Sequence, residues 1–288
     1  MINDMTIALA QMDVIPGQPR ANVDKMISMI QEAKQKNVDL ICFPEMCVGG
    51  YLLGDKFLED TYCEELMSYN SEILDASMDI AICYGNIYVD ENSNGYHPNK
   101  DGRSRKYNAV YVVQNGKYAK RSKENGILPF GVQPKTLLPN YRFFDDERYF
   151  FSLPDVATDF GKELKDLLSP FLISVGNTIV PVGVELCEDL WCRDYRALGE
   201  PINITNILIE AGAQKIINLS ASPWTFMKNN ARDRRVKFLK EQAAVLPISS
   251  PQVAILFEVL IPPYNDKSSI EPPFSSNDIV YWLIVHFA

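Results

Sequence analysis

The sequence predicts an α/β fold that opens with parallel strands. Residues 5–12 (MTIALAQM) and 38–43 (VDLICF) are apolar runs of strand length, and between them Val23, Met26, Ile27, Ile30 and Ala33 recur at helical spacing. A strand–helix–strand unit of this kind places two parallel strands in one sheet with the helix over a face, and the nearly unbroken apolarity of the second run suits a strand covered on both sides. The composition agrees: 47% of the 288 residues are apolar and 23% charged, which is ample for a core and excludes disorder as a description of the chain. The length fits one large α/β domain or two small ones.

The elements follow in order. Asn22 is the expected N-cap of the first helix and Asn37 its terminator. Residues 59–76 have a helical pattern, and residues 78–89 read as a strand with Gly85 inside it. Residues 107–114 and 117–121 flank Asn115-Gly116 and read as a hairpin. Residues 127–139 are punctuated by Pro and Gly, which argues against regular structure. Residues 141–153 hold a further strand-like run. Residues 178–186 (TIVPVGVEL) read as a strand that tolerates Pro181 near a bend or a start. A helix over 202–211 stops at Gly212, a short strand spans 215–219, and a basic amphipathic helix spans 231–245. No internal repeat or low-complexity tract is present.

Counts exclude several functions. The formal charge is −9, from 28 Lys plus Arg and 37 Asp plus Glu, which argues against a nucleic-acid surface. The two histidines, His97 in a Gly/Asn/Pro loop and His286 near the end, handicap Ser-His-Asp, Cys-His and His-rich metal chemistry. Six cysteines form no CxxC pair, and the polar N-terminus is not a secretory signal, so free thiols in a reducing, cytoplasmic setting are expected. The longest apolar stretches, 253–260 with Glu258 inside it and 279–288, are too short to span a bilayer.

Three features carry chemistry. Phe43-Pro44-Glu45 puts a carboxylate at the end of an apolar strand, where α/β sheets handle ligands. Glu185-Leu186-Cys187-Glu188-Asp189-Leu190-Trp191 ends another strand at a cysteine followed by two acids. Neighbouring acids raise a thiol's pKa, which suits a nucleophile that gives its proton to a carboxylate base only when substrate is present. Lys135 lies in a proline-stiffened, largely uncharged stretch, and a desolvated lysine can stabilise a developing oxyanion. Singly, the three read as a loop glutamate, a packing thiol and a surface lysine.

Together they resemble the Glu-Lys-Cys triad of the nitrilase (carbon–nitrogen hydrolase) superfamily. FPE…GY, K-x-x-LPNY-x-x-FD-x-x-RYF, CEDLW and NLSASPW, followed by Lys228 and Arg232, are similar to the glutamine amidotransferase domain of glutamine-dependent NAD synthetases, over roughly residues 5 to 242. The resemblance implies a four-layer α-β-β-α sandwich, with Glu45 as general base, Lys135 as oxyanion stabiliser and Cys187 as nucleophile. It implies hydrolysis of the glutamine side-chain amide through a thioester, with ammonia released. Tyr51, Tyr141, Glu188 and Trp191 match positions lining the glutamine pocket. Ser220, Ser222 and Arg232 match those holding the amino-acid head group. Glu147 is a candidate second carboxylate for Lys135, with a surface ion pair near Arg148 as the competing reading. Cys42, Cys47, Cys63, Cys83 and Cys192 are read as structural.

No metal or cofactor is implied for this domain. ATP and Mg²⁺ belong to the family's synthetase domain, whose SGGxDS-type loop does not occur in the sequence. The implied partners are glutamine and either a synthetase domain or further copies of the chain, with no nucleic acid and no membrane. After about Gln242 the family's strand and VGxxD/E-type segment are not found. This predicts a hydrolase domain over 1–245 and a divergent tail over 246–288, as from a truncated or frame-shifted gene, leaving the sandwich incomplete at its C-terminal end. Residues 253–260 and 279–285 would fill that gap or remain unstructured. The competing functions are a stand-alone ω-amidase and a catalytically silent remnant or scaffold.

Overall fold

The first unit forms as expected. Strand β1 (Met5–Gln11), helix α1 (Pro19–Gln35) and strand β2 (Leu40–Cys42) place β1 and β2 parallel, with Ile7 opposite Leu40. The computed structural model describes residues 5–90, 104–142, 144–197, 199–223, 234–235, 237–238, 255–256, 259–261 and 281–287. Helix α1 starts earlier than its expected cap, because Pro19, with its φ already set for a first turn, follows Gln18. Asn22 is therefore inside the helix and buried. Its Oδ1 accepts from the Ile15 N–H at 2.8 Å, and its Nδ2 donates to the Ile15 and Val48 carbonyls, both at 2.9 Å. Asn37 follows the helix at φ 54°, as its terminating role requires.

The helix expected over 59–76 is two, α2 (Asp60–Ser68) and α3 (Asn70–Ala76), broken at Tyr69. Strands β3 (Ala81–Asp90) and β4 (Arg105–Gln114) pair antiparallel along their whole length. The Asn115-Gly116 turn, with both residues at positive φ, returns the chain as β5 (Lys117–Tyr118). Within the stretch for which no regular structure was expected, β6 (Val132–Pro134) pairs with β4. Among the described residues of 141–153 the expected strand is not formed. A 3₁₀ turn (Asp146–Arg148) and helix α4 (Leu153–Asp159), which opens on a Ser152/Asp155 capping box, stand there instead. The aromatic run that suggested a strand packs from a loop: Phe144 meets Tyr51 edge-on, Phe150 meets Phe57, and Phe151 meets Tyr107.

Helix α5 (Leu164–Leu167) leads to the hairpin of β7 (Phe171–Val175) and β8 (Thr178–Leu186). Pro181 is tolerated because β8 joins its other neighbour only from Val182 onward. A 3₁₀ segment (Cys187–Asp194), the small hairpin β9 (Arg196–Ala197) and β10 (Glu200–Pro201), and helix α6 (Ile204–Glu210) follow. Then come β11 (Lys215–Leu219), parallel to β8, and β12 (Ala221–Pro223). Of the helix expected over 231–245, Arg234, Arg235, Lys237 and Phe238 are described, and all four are helical.

Among the described residues, one sheet runs β15-β1-β2-β3-β4-β5, with β6 also on β4, and a second runs β13-β11-β8-β7. Here β13 is Ile255–Leu256, β14 is Val259–Ile261 and β15 is Tyr281–Phe287. The described parts of the 246–288 tail are thus strands, on β11, β12 and β1 respectively. Residue 245, where a boundary was expected, lies outside the described residues.

The sheets meet face to face. Ile7, Leu40, Cys42 and Val110 of the first pack with Phe171, Val182, Val184 and Ile217 of the second in one buried cluster. Behind the first sheet, Ala8, Ile41 and Ile82 share a core with Val23, Met26 and Ile30 of α1. Behind the second, α6 lies so close that a Cβ on Gly183 would fall 2.7 Å from Ile216 Cδ1 and 3.2 Å from Leu208 Cβ. The result is the expected helix–sheet–sheet–helix layering.

Candidate active site

Glu45 stands just past the end of β2. Its backbone is drawn against β3, where the Gly85 N–H donates to the Pro44 carbonyl at 3.0 Å. Glycine is required there: a Cβ on residue 85 would lie 2.3 Å from Met46 N and 2.6 Å from Glu45 Cα. The Glu45 side chain is buried and fully engaged. Oε1 accepts from Lys135 Nζ at 2.7 Å and Asn108 Nδ2 at 2.8 Å, and Oε2 accepts from the Ala221 N–H at 3.0 Å.

Lys135 follows β6, with its N–H on the Asn108 carbonyl at 2.8 Å. Its side chain has no solvent exposure. Besides Glu45, Nζ reaches Tyr51 Oη at 3.1 Å and Asp146 Oδ2 at 3.3 Å, while the Tyr51 hydroxyl donates to Asp146 at 2.7 Å. Burial alone pulls the ammonium down, but Glu45, Tyr51 and Asp146 around it hold it well above the ordinary lysine value. Lys135 is therefore a fixed cation. The second carboxylate at Lys135 is Asp146 and not Glu147. The 3₁₀ turn faces Asp146 inward and Glu147 outward, where it accepts from Asn140 Nδ2 at 3.0 Å on the surface.

Cys187 begins the 3₁₀ segment after β8, at φ 39°, a left-handed conformation that is strained for a side-chain-bearing residue. It is partly exposed, whereas Cys42, Cys47, Cys63 and Cys83 are buried. Burial and then Glu45 push its thiol up, and Lys135 and the neighbouring Ser220 hydroxyl pull it back. The Cys187 thiol, Glu45 and Lys135 thus share one electrostatic environment. Ser220 is buried and its Oγ donates to Asn218 Oδ1 at 2.7 Å, while Asn218 Nδ2 donates to Glu185 Oε1 at 3.3 Å.

Glu188 is buried beside Cys187. The Tyr141 hydroxyl donates to its Oε2 at 2.9 Å, and the Tyr195 hydroxyl stands 3.2 Å from its Oε1. Burial raises its carboxyl, and the two hydroxyls moderate the shift. Asp189 accepts from the backbone N–H groups of Leu137 at 2.7 Å, Thr136 at 3.2 Å and Leu186 at 3.0 Å. Burial pushes its carboxyl up, while the Leu186 and Leu137 N–H groups and the Lys135 charge pull it back toward the ionised form, the form that three donor partners require.

Of the residues singled out from sequence, Glu45, Tyr51, Lys135, Cys187 and Ser220 come together, with Tyr141 and Glu188 adjoining. Trp191 lies half-buried in the 3₁₀ segment. Ser222 is on β12 with its side chain outside the described residues, and Arg232 lies outside them altogether. Asp146, Asn108, Asp189 and Tyr195 were not anticipated. Asp189 stood in CEDLW and Asp146 at an unspecified position of FD-x-x-RYF, while Asn108 and Tyr195 had no local signal. Among the described residues no cluster of His, Cys, Asp and Glu suits a metal ion, and no helix is long and apolar enough to cross a membrane.

Residues 6–223 match the family model Carbon-nitrogen hydrolase. The chain belongs to this family. Its membership makes it a carbon–nitrogen hydrolase, of the class that acts on amides, and places the buried Glu45–Lys135 pair and Cys187 in a hydrolase fold. This hydrolase is 27% identical over 234 residues to a glutamine-dependent NAD(+) synthetase of Synechocystis sp., covering 79% of the chain and 36% of that relative. It is 27% identical over 296 residues to one from Xanthomonas campestris pv. campestris, covering 99% of the chain and 44% of that relative. Among solved structures, glutamine-dependent NAD+ synthetase from Acinetobacter baumannii in complex with ADP superposes with a TM-score of 0.61 at 25% identity, over 84% of this chain and 37% of that one. An amidase from Nesterenkonia sp. shares the fold, with a TM-score of 0.56 at 15% identity. The chain thus spans well under half the length of these synthetase relatives.

Proposed function

We propose that this hydrolase cleaves the side-chain amide of glutamine to glutamate and ammonia. Glu45 takes the Cys187 thiol proton as the sulfur attacks the amide carbon. Lys135 and a backbone N–H at the start of the 3₁₀ segment, that of Glu188, hold the oxyanion. Glu45 returns the proton to the leaving ammonia, then activates a water that hydrolyses the γ-glutamyl thioester. The raised thiol fits this order: Cys187 rests protonated and is activated only when an acceptor carbon is in place.

The observation that carries the choice of substrate is Glu188. Its carboxylate is fixed beside Cys187 by hydroxyls of Tyr141 and Tyr195, where it can pair with the α-ammonium group of an amino acid. Tyr51 and Trp191 complete the pocket wall, and Ser220, Ser222 and Arg232 serve the α-carboxylate side. The synthetase relatives support glutamine as the amide and suggest the consumer of the ammonia: an ATP- and Mg²⁺-dependent synthetase domain, or a separate chain that carries one. The hydrolysis itself draws on no metal or cofactor. A cytoplasmic setting keeps Cys187 reduced.

The test is ammonia release from L-glutamine and from glutaramate, which lacks the α-ammonium group, by the wild type and Cys187→Ala. Release from glutamine at least about tenfold faster than from glutaramate, and absent in the variant, is expected if Glu188 recognises the ammonium. Equal rates would make the chain an ω-amidase. No release from a folded chain would make it silent without a partner.

A further inference from the structure

Asp189 takes no part in the chemistry above, yet it touches both halves of the site. Its Oδ1 accepts from the Thr136 and Leu137 N–H groups, the two residues directly after Lys135. Its Oδ2 accepts from the N–H of Leu186, directly before Cys187. Lys135 follows β6, which belongs to the first sheet, and Cys187 follows β8, in the second. The sheets meet largely through apolar side chains, whose contact is non-directional and sets no lateral register. Hydrogen bonds cross at the far edge, where Gln114 meets the Ser174 backbone, and at Glu45, which accepts from the Ala221 N–H, but neither of these holds Lys135 to Cys187. Hydrogen bonds do set register, and a misplacement of about 1 Å in a reacting group is worth on the order of a hundredfold in rate.

We propose that Asp189 is a positioning residue whose carboxylate ties the segment carrying Lys135 to the turn carrying Cys187, holding cation and nucleophile at one spacing across the two sheets. The inference rests on the roles given to Cys187 and Lys135 above. The carboxylate is suited to it because every partner is a donor. An asparagine at 189 has one acceptor oxygen and one NH₂ group. Whichever way it turns, the NH₂ meets an N–H, either that of Leu186 or the pair from Thr136 and Leu137, and one side of the tie opens.

Asp189→Asn tests this in the full chain, with folding checked by near-ultraviolet circular dichroism. With glutamine, kcat should fall at least about tenfold while KM stays within about threefold, since the loss is in the transition state. A second readout uses no glutamine: the pH profile for alkylation of Cys187 by iodoacetamide, resolved by mass spectrometry. The groups acting on this thiol are Glu45, Lys135, Glu188 and Ser220, and Lys135 is the cation that favours the thiolate. Loosening Lys135 should move the profile to higher pH. Removing the Asp189 charge without any displacement would move it lower or leave it in place, so a purely structural role does not mimic the result. An unchanged kcat, or a profile that stays or moves lower, overturns the proposal. If the variant does not fold, amide exchange in the wild type decides: the Thr136, Leu137 and Leu186 N–H groups should be protected, and fast exchange at them overturns it. A wild type that releases no ammonia counts against the glutaminase reading alone, because the alkylation and exchange measurements still read the tie.

Discussion

Lys135 and Glu45 make each other's charge tolerable. Neither side chain has solvent exposure, and a lone ion there would cost several kcal/mol or lose its charge. Asp146, Tyr51 and Asn108 share the load, so the proton that the proposed mechanism assigns to Glu45 would move within a set of fixed dipoles. Glu185 behaves differently. Burial pushes its carboxyl up to about 7, against weaker pulls from Thr205, Asn218 and the Arg235 charge. Between about pH 4.5 and 7 the native state therefore holds more protons at this site than the unfolded chain, so stability falls as pH rises through that window, by about 3 kcal/mol in all. Glutamine fits the site, accepting from Asn218 and donating to the Thr205 hydroxyl. Glu185→Gln should remove this fall, so urea denaturation at pH 5 and pH 8 should show the variant gaining on the wild type at the higher pH. Parallel stabilities at the two values would exclude a protonated Glu185.

At the scale of the element, strand ends place the three groups proposed to be catalytic, and one glycine governs how closely Glu45 approaches its neighbours. Gly85 lets the 44–46 backbone lie on β3. Because the atoms nearest its missing Cβ are main chain, relief in Gly85→Ala can come only by lifting Glu45. Overpacking of this kind costs about 1–3 kcal/mol, and here it should also lower kcat as Glu45 leaves Lys135. Thermal melts with kinetics check both, and an alanine variant like the wild type in the two would show the loop free to shift. The same elements explain what was legible beforehand. The strand over 178–186 and the one over 215–219 were read with their true bounds, because apolar runs closed by turns leave little choice. That Glu45, Lys135 and Cys187 converge was legible because each stands at such an end within a recognisable motif. Asp146 was not: acids run from 145 to 147, and only the 3₁₀ turn decides which of them faces Lys135. Asn22 looked like a cap, but Pro19 started the helix first, and the aromatics of 141–153 imitate a strand while packing from a loop.

At the scale of the whole molecule, the tail adds a strand to each sheet, and it bears on the site. The sequence pattern breaks after about Gln242, yet the match to the Xanthomonas synthetase runs through 99% of the chain. Strand β15 pairs along all of β1, from Met5 opposite Phe287 to Gln11 opposite Tyr281, and β14 lies along β12, with Ala221 opposite Val259. Without these partners β1 would become an edge whose Met5, Ile7, Ala8 and Ala10 are buried core residues, and unpaired apolar edges associate. The effect reaches the chemistry through β12, because the Ala221 N–H is one of the donors that fix Glu45. A chain ending at residue 245 should therefore melt lower than the full chain, self-associate on size exclusion, and lose ammonia release more steeply than it loses folded protein. If it melts and elutes like the full chain with activity intact, residues 246–288 are an appendage and the hydrolase domain ends where the sequence pattern does.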